Sequence, residues 1–328
     1  MASCVIVGGG LSAWLASLRV NDATVLTPVS SKKIYSRSKE NSLNKFFSDK
    51  TFDSQKIIIS DKMISLKYRL LLGGASSVWG GFCDREQLST DLLKIFNNHK
   101  IALKELSYKS TGSKANFGDI IQLQQHNQIL NVGKLINVNN DCIVTSINGK
   151  TLNIIDTNNN VQQICANKII LAVDVLNLLI ILFRSNMISA SDVISVTEFD
   201  HKLRMSASSS GEKVNSITYN FDRAISHFLG IQHYKLKFLP VPFIVQDFLH
   251  EKRTLSFSFD GKKIQSRVKL DQVFGKSIHY CDLKINGVPI RDFLSEFDIS
   301  VIGMPAITQN KPGPISQDIM MDVMENLI

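Results

Sequence analysis

The stretch Cys4-Val5-Ile6-Val7-Gly8-Gly9-Gly10-Leu11-Ser12-Ala13 decides the fold. Residues 4–7 are an apolar run typical of a short buried strand, residues 14–18 have the pattern of a helix, and residues 23–26 form a second apolar run. The predicted order is therefore strand, glycine turn, helix and strand, with the spacing G-x-G-x-x-A. This arrangement favours binding of a dinucleotide, because the backbone of the turn approaches the pyrophosphate and the helix N-terminus attracts anions.

Each small residue of the turn has a separate expected role. We expect Gly8 to allow the tight turn, Gly10 to let the backbone approach the pyrophosphate, and Ala13 to let the helix pack closely on the strand. The alternative is a tight turn that is rich in glycine for local reasons only.

The second strand lacks one usual feature of such units. In place of the Asp or Glu that binds the ribose hydroxyls, it ends at Thr27-Pro28. We therefore expect ribose recognition to be weaker or to come from hydroxyl groups such as those of Thr27, Ser30 or Ser31.

Length and composition exclude several classes of protein. The chain has 328 residues, of which 44% are hydrophobic and 20% are charged, so it is a folded protein of one large domain or two smaller ones. Its five cysteines form no C-x-x-C pair, which disfavours a disulfide scaffold or a metal site. The longest apolar run, residues 169–183, contains Asp174 and Asn177 and is shorter than the roughly 20 residues that span a bilayer. We expect a cytoplasmic protein without a signal peptide or a membrane span.

The net charge of +8 is unevenly distributed. Residues 31–70 contain ten basic and four acidic side chains. Such a segment suits nucleic acid, anionic lipid or a phosphorylated ligand, although a solvated surface is the simpler explanation. Binding of nucleic acid is disfavoured because the lysines are not interleaved with an aromatic platform.

A second glycine-rich motif follows this segment, Gly73-Gly74-Ala75-Ser76-Ser77-Val78-Trp79-Gly80-Gly81. Its glycines allow the backbone to lie against a planar or anionic ligand. A flexible linker is the alternative, and Val78-Trp79 between two glycine pairs argues against it.

The remaining pattern predicts further strands and a division into domains. A three-stranded meander over residues 142–165 leads into a buried strand at 166–172. We expect the strands at residues 4–7, 169–172 and 299–302 to be neighbours in one parallel sheet. Mixed apolar pieces predict a mostly antiparallel sheet over residues 193–273, and residues 316–327 have the pattern of an amphipathic helix.

The chain resembles the FAD-dependent oxidoreductases of the glucose–methanol–choline (GMC) type. The resemblance rests on Val5-Ile6-Val7-Gly8-Gly9-Gly10, the motif from Gly73 to Ser77, the strand at residues 166–172 and the tail over 279–321, in family order. The Trp-Gly-Gly after the serines is similar to the branch that acts on sugars and polyols.

The resemblance implies an α/β fold, in which an FAD-binding Rossmann-like (two-dinucleotide-binding) domain carries a mostly antiparallel β-sheet substrate domain. The FAD-binding domain would cover residues 1–185, including the basic excursion at 31–70 and the meander, and the chain would return to it at 279–328. The substrate domain would cover residues 186–278.

The resemblance also implies a cofactor site. The N-terminal turn, the second glycine-rich motif, a valine beside the adenine and a C-terminal loop over the isoalloxazine would contact FAD. With Thr27 for the ribose, these residues are Gly8, Gly9, Gly10, Ala13, Thr27, Gly73, Gly74, Ala75, Ser76, Ser77, Trp79, Val144, Gly303, Met304 and Pro305. In some sugar oxidases a His just before the Trp tethers FAD, and Val78 stands there in this chain, so FAD is expected to bind non-covalently.

The catalytic base of the family is a His on a C-terminal loop ahead of the last strand. Among seven histidines only His279 has that place, although a structural role in a hydrogen bond is the alternative. The usual second catalytic His or Asn is absent, because Gly313-Pro314 stands at its segment, unless Asn310 substitutes for it.

Two functions stay open at this point. The first is oxidation of an alcohol carbon of a small sugar-like or polyol substrate, which could be anionic or sugar-linked, by hydride transfer to flavin. The second is a degenerate, non-catalytic flavoprotein-fold subunit that acts through a partner protein. Homo-oligomers are compatible with both, and the sequence identifies neither the substrate nor the electron acceptor.

Overall fold

The computed structural model describes residues 2–27, 56–59, 64–67, 72, 81–105, 120–156, 160–189, 191–206, 216–220, 243–255, 257–260, 263–266, 277–308 and 315–327. Seven of the predicted site residues, Gly73, Gly74, Ala75, Ser76, Ser77, Trp79 and Asn310, lie outside this set, as does most of the basic segment at residues 31–70.

The described strands are β1 (Ala2–Val7), β2 (Ala23–Thr27), β3 (Lys56–Ile59), β4 (Ile64–Lys67), β5 (Phe82–Asp84), β6 (Ile101–Glu105), β7 (Ile120–Gln125), β8 (Gln128–Ile129), β9 (Asn140–Asn148), β10 (Thr151–Asp156), β11 (Val161–Leu171), β12 (Ile194–Ser206), β13 (Ser216–Asn220), β14 (Phe243–Leu255), β15 (Phe257–Asp260), β16 (Lys263–Ser266), β17 (Ser277–Ile285), β18 (Val288–Pro289) and β19 (Ile299–Val301). The described α-helices are α1 (Leu11–Arg19), α2 (Thr90–Asn98), α3 (Val175–Arg184), α4 (Ile290–Ser295) and α5 (Ile315–Asn326).

The three strands that the sequence predicts as neighbours do lie side by side in one parallel sheet. β1 pairs with β2 on one side and with β11 on the other, and β11 pairs with β19. Alternate side chains enter two hydrophobic clusters, one on each face of the sheet: Ile6 packs on the side of α1, and Val5 packs on the opposite side. The motif order along the chain thus predicts the central sheet correctly.

The meander and the central sheet share one continuous strand. Residues 161–165 of β11 pair antiparallel with β10, and Ala166 to Leu171 of the same strand pair in parallel with β1. The first strand of the meander, β9, pairs in parallel with the end of β2 through its first two residues. Its remaining residues pair antiparallel with β10. The meander therefore begins beside the carboxyl end of β2, at the edge of the sheet where the glycine turn lies.

A second sheet has the order β13-β14-β12-β17-β18, and every pairing in it is antiparallel. This confirms the predicted antiparallel region. The boundary that the sequence places between residues 278 and 279 falls inside β17, so the return to the first domain does not coincide with a break between elements. The division into two domains stays a prediction.

Several elements are absent from the sequence prediction. Residues 56–59 and 64–67 of the basic segment form β3 and β4, and β3 pairs in parallel with β16 of the β15–β16 hairpin. A further sheet, β5-β7-β6 with β8, follows the second glycine-rich motif. The apolar run at residues 169–183 is divided between β11 and α3. Among the described residues, no helix is both long and apolar enough to cross a membrane.

Candidate functional site

The turn after β1 is compressed between the ends of two neighbouring strands. The Gly8 amide donates to the carbonyl oxygen of Leu26 in β2 (2.9 Å), and the Ala172 amide donates to the carbonyl oxygen of Val7 (2.8 Å). Gly8 has a φ of +134°, and a Cβ atom there would overlap the carbonyl group of Ala172. Only glycine fits this position, because both the backbone conformation and the available space exclude a side chain.

Gly9 is required by a contact that the sequence does not predict. A Cβ atom at Gly9 would overlap the Oγ1 atom of Thr27, the last residue of β2, which is 3% exposed. The buried Thr27 side chain thus packs on the glycine turn. Gly8 and Gly9 are both buried, and the space beside them is filled by Ala172 and Thr27.

Helix α1 begins directly after this turn. Gly10 is its N-cap, with φ −95° and no side-chain hydrogen bond to the first turn, and the Trp14 amide donates to the Gly10 carbonyl oxygen (3.0 Å). Ala13 is fully buried between the helix and the sheet. No side chain therefore caps the first-turn amides by a hydrogen bond. These amides lie at the carboxyl edge of the parallel strands, where sheets of this kind bind phosphate groups.

The C-terminal loop that the resemblance assigns to FAD packs on this same helix end. Gly303 has a φ of +79°, and a Cβ atom there would overlap the side chain of Ser12 in the first turn of α1. The Gly303 amide donates to Oδ2 of Asp322 in α5 (2.7 Å), and the buried Asp322 carboxylate also forms an ion pair with Arg291 of α4. The Asp322–Arg291 pair thus anchors the loop from Gly303 to Pro305 beside the glycine turn.

The same loop continues to the second sheet, which contains His279. The Leu283 amide of β17 donates to the Pro305 carbonyl oxygen (3.0 Å), and the Asp282 amide donates to the Ile307 carbonyl oxygen (2.9 Å). His279 lies in β17, opposite Phe199 of β12, and not in a loop as the resemblance implies. The strand that carries His279 is therefore bonded to the loop that lies beside the glycine turn.

The start of β9 lies beside the end of β2. The Val25 amide donates to Oδ1 of Asn139 (2.8 Å), and the Asn139 amide donates to the Val25 carbonyl oxygen (3.2 Å). Val144, which the resemblance places by the adenine, lies farther along β9, and its side chain is buried in the cluster on the face opposite α1. The structure thus brings β9 to the edge where the glycine turn lies, while the side chain of Val144 belongs to the core.

The exit of the second glycine-rich motif contacts the start of the last helix. The Gly81 carbonyl oxygen accepts from the Leu123 amide (2.7 Å), and the Asp84 amide donates to Oε1 of Gln317 in the first turn of α5 (2.8 Å). Gln317 in turn donates to Oε1 of Gln87 (3.0 Å). Residues 73–80 and 309–314 lie outside the described residues. The elements that follow them, β5 and α5, are joined by the hydrogen bond between Asp84 and Gln317.

The buried thiols near these elements are poor nucleophiles. Burial, followed by the charge of Asp84, raises the pKa of Cys83 to about 12. Burial, followed by the charges of Asp141 and Asp156, raises the pKa of Cys142 to about 11. Both thiols are protonated at neutral pH and are unsuited to covalent catalysis. Within the described residues, no three His, Cys, Asp or Glu side chains are grouped as metal ligands would be.

No protein-family model matches the chain, and no curated protein is similar to it. Among solved structures, formate oxidase from Aspergillus oryzae, studied for its FAD modification, is 12% identical with a TM-score of 0.52, over 98% of this chain and 96% of that one. A flavoprotein/dehydrogenase from Cytophaga hutchinsonii is 11% identical with a TM-score of 0.40, over 99% of this chain and 76% of that one. The anhydrotetracycline hydroxylase OxyS from Streptomyces rimosus is 9% identical with a TM-score of 0.37, over 98% of this chain and 60% of that one. The likeness to formate oxidase, together with the sheets described above, shows that this chain has the α/β fold of the FAD-binding flavoproteins.

Proposed function

We propose that this chain is an FAD-dependent oxidoreductase of the GMC type, which oxidises an alcohol carbon of a small sugar-like or polyol substrate. The observation that supports this most strongly is the contact between Gly303 and Ser12. This contact brings the C-terminal loop against the first turn of the helix that follows the glycine turn. A cofactor site formed by both ends of the chain requires such a contact. The same loop is bonded to the strand that contains His279.

The glycine turn between β1 and α1 suits the pyrophosphate of FAD. Gly10, the N-cap of α1, is partly exposed, and the α1 amides provide donors for the phosphate oxygens. On the flavin side, the motif from Gly73 to Ser77 with Trp79 would complete the site, and Val78 provides no nucleophile for a covalent bond. Bound FAD supplies an acceptor for a hydride, which no side chain of the chain can supply.

Residues of the chain would accept the proton of the substrate hydroxyl. A neutral ring nitrogen of His279 takes the proton of the substrate hydroxyl, and Asn310 orients that hydroxyl by a hydrogen bond. The basic residues within 31–70 favour an anionic substrate or an acidic partner, because clustered positive charge attracts anionic groups.

Substitution of His279 tests this proposal. Positioned proton transfer contributes about 10²–10⁴-fold to a rate, so His279→Ala should slow reduction of the flavin by about that factor and leave the visible spectrum unchanged. The measurement is stopped-flow reduction by a panel of sugars and polyols without oxygen. His126→Ala, in the exposed turn before β8, is the matched control and should reduce at the wild-type rate.

Two results would contradict the proposal. A His279→Ala protein that is reduced as fast as wild type would mean that another group is the base. A wild-type protein that retains FAD but is reduced by no alcohol would favour the non-catalytic subunit that acts through a partner.

A further inference from the structure

The end of β2 lacks a carboxylate of its own, and β9 places one directly beside it. Leu26 pairs with Asn140 and Thr27 pairs with Asp141 in the parallel ladder between the two strands. Position 27 is where the Asp or Glu that binds ribose usually stands in a dinucleotide-binding unit. Asp141 is therefore one strand away from that position, at the same height along the sheet.

Asp141 also lies on the correct face of the sheet. Cys142 is buried in the cluster opposite α1, and because successive side chains of a strand point to opposite faces, Asp141 points to the face of α1. Thr27, its partner in the ladder, points to this face as well, since its Oγ1 atom packs on Gly9. Asp141 is exposed there, whereas Thr27 is buried and packs on Gly9.

The backbone around Asp141 is held firmly in place. Two hydrogen bonds between Asn139 and Val25 fix the start of β9 against β2 just before the Thr27–Asp141 pair. Because strand pairing and not a surface loop fixes this position, the Asp141 backbone stands beside the end of β2 before any ligand binds. Such preorganisation lowers the entropic cost of binding a ligand.

We propose that Asp141 binds the ribose hydroxyls of the adenosine half of FAD, in place of the acid that β2 lacks. The proposal rests on the proposed binding of FAD and deepens it, because it names the residue that recognises the ribose. A carboxylate accepts hydrogen bonds from both hydroxyls of a ribose, and such charge-assisted bonds are stronger than those of the Thr27, Ser30 or Ser31 hydroxyls. If Asp141 did not bind the ribose, its negative charge would repel the nearby pyrophosphate and weaken binding of FAD.

The test compares two ligands and two variants of the full chain. Asp141→Asn removes the charge and keeps the size of the side chain, and Asp91→Asn, at an exposed site on α2, removes one equal charge elsewhere. The ligands are FAD and an FAD analogue whose adenosine lacks both ribose hydroxyls. Dissociation constants for the chain stripped of bound flavin are measured by quenching of flavin fluorescence.

The proposal predicts a selective loss. Asp141→Asn should weaken binding of FAD about 10- to 100-fold, as expected for hydrogen bonds to a charged group, and should not weaken binding of the analogue, which has no ribose hydroxyls for the carboxylate to bind. Asp91→Asn should bind both ligands as wild type does.

Three results would overturn the proposal, and they are distinguishable. An Asp141→Asn protein that binds FAD more tightly or equally well would show that the carboxylate does not contact the ribose. Equal weakening of both ligands would show a structural role. A wild-type chain that binds neither ligand would overturn the proposed function itself.

Discussion

At single residues, the packing around the glycine turn depends on glycines that leave no room for a side chain. Gly303 and Gly287 have nearly the same φ, +79° and +83°, but their surroundings differ. A Cβ atom at Gly303 would overlap Ser12, whereas nothing lies within 4 Å of a Cβ atom at Gly287. Gly287→Ala is therefore a matched control that separates the cost of the conformation from the cost of the overlap.

Gly303→Ala should destabilise the protein more than Gly287→Ala and should also impair FAD binding. The unfavourable φ costs each variant about 1–2 kcal/mol, and overpacking against Ser12 costs Gly303→Ala about 1–3 kcal/mol more. Urea unfolding of both variants measures the difference in free energy, and a fluorescence titration measures FAD binding. Equal losses of stability, or unchanged FAD binding in Gly303→Ala, would contradict the packing described here.

The sequence predicts some of these residues and not others, for a physical reason. The constraint on Gly8 is visible from the G-x-G-x-x-A spacing, because the strand, the turn and the helix are adjacent in the chain. The contact of Gly303 with Ser12, and the position of Asp141 beside Thr27, depend on pairing between segments far apart in sequence. A local pattern contains no information on such pairing.

At the scale of elements, α3 shows how one side chain sets a boundary inside an apolar run. The Asp174 carboxylate accepts from the amides of Leu176 (2.9 Å) and Asn177 (3.1 Å) and so caps the helix. An Asp three residues after a buried strand is the N-cap pattern from which α3 could have been predicted.

Asp174 should also make stability depend on pH. Burial raises the pKa of this carboxyl above its ordinary value of 3.8, although hydrogen bonds from Asn177 and Leu176 oppose the shift. The folded state then holds a proton that the unfolded state releases, so the free energy of unfolding falls as pH rises from 3.8 to the folded pKa. Asp174→Asn keeps the cap and does not titrate, so its stability relative to wild type should rise over that interval.

Urea unfolding of wild type, Asp174→Asn and Asp174→Ala at a series of pH values tests this assignment. Asp174→Ala loses the cap and should be about 1 kcal/mol less stable than Asp174→Asn at every pH. A stability difference between wild type and Asp174→Asn that does not change with pH would show that the carboxyl titrates normally in the folded protein.

At the scale of the whole molecule, the two ends of the chain meet in one sheet and at one site. β1, β11 and β19 come from the start, middle and end of the chain, and their pairing could be predicted because the family order of the motifs places each strand. The strand order of the antiparallel sheet, and the pairing of β3 with β16, could not be predicted, since alternating patterns do not identify partners.

The visible spectrum of the purified chain before and after acid denaturation tests whether this assembly holds FAD. We expect the absorbance bands of oxidised flavin in the native protein and release of all the flavin, as FAD, into the supernatant, because Val78 stands at the position of a tethering His. A colourless protein whose properties do not change when FAD is added would contradict binding of FAD, and flavin that stays with the precipitated chain would contradict non-covalent binding.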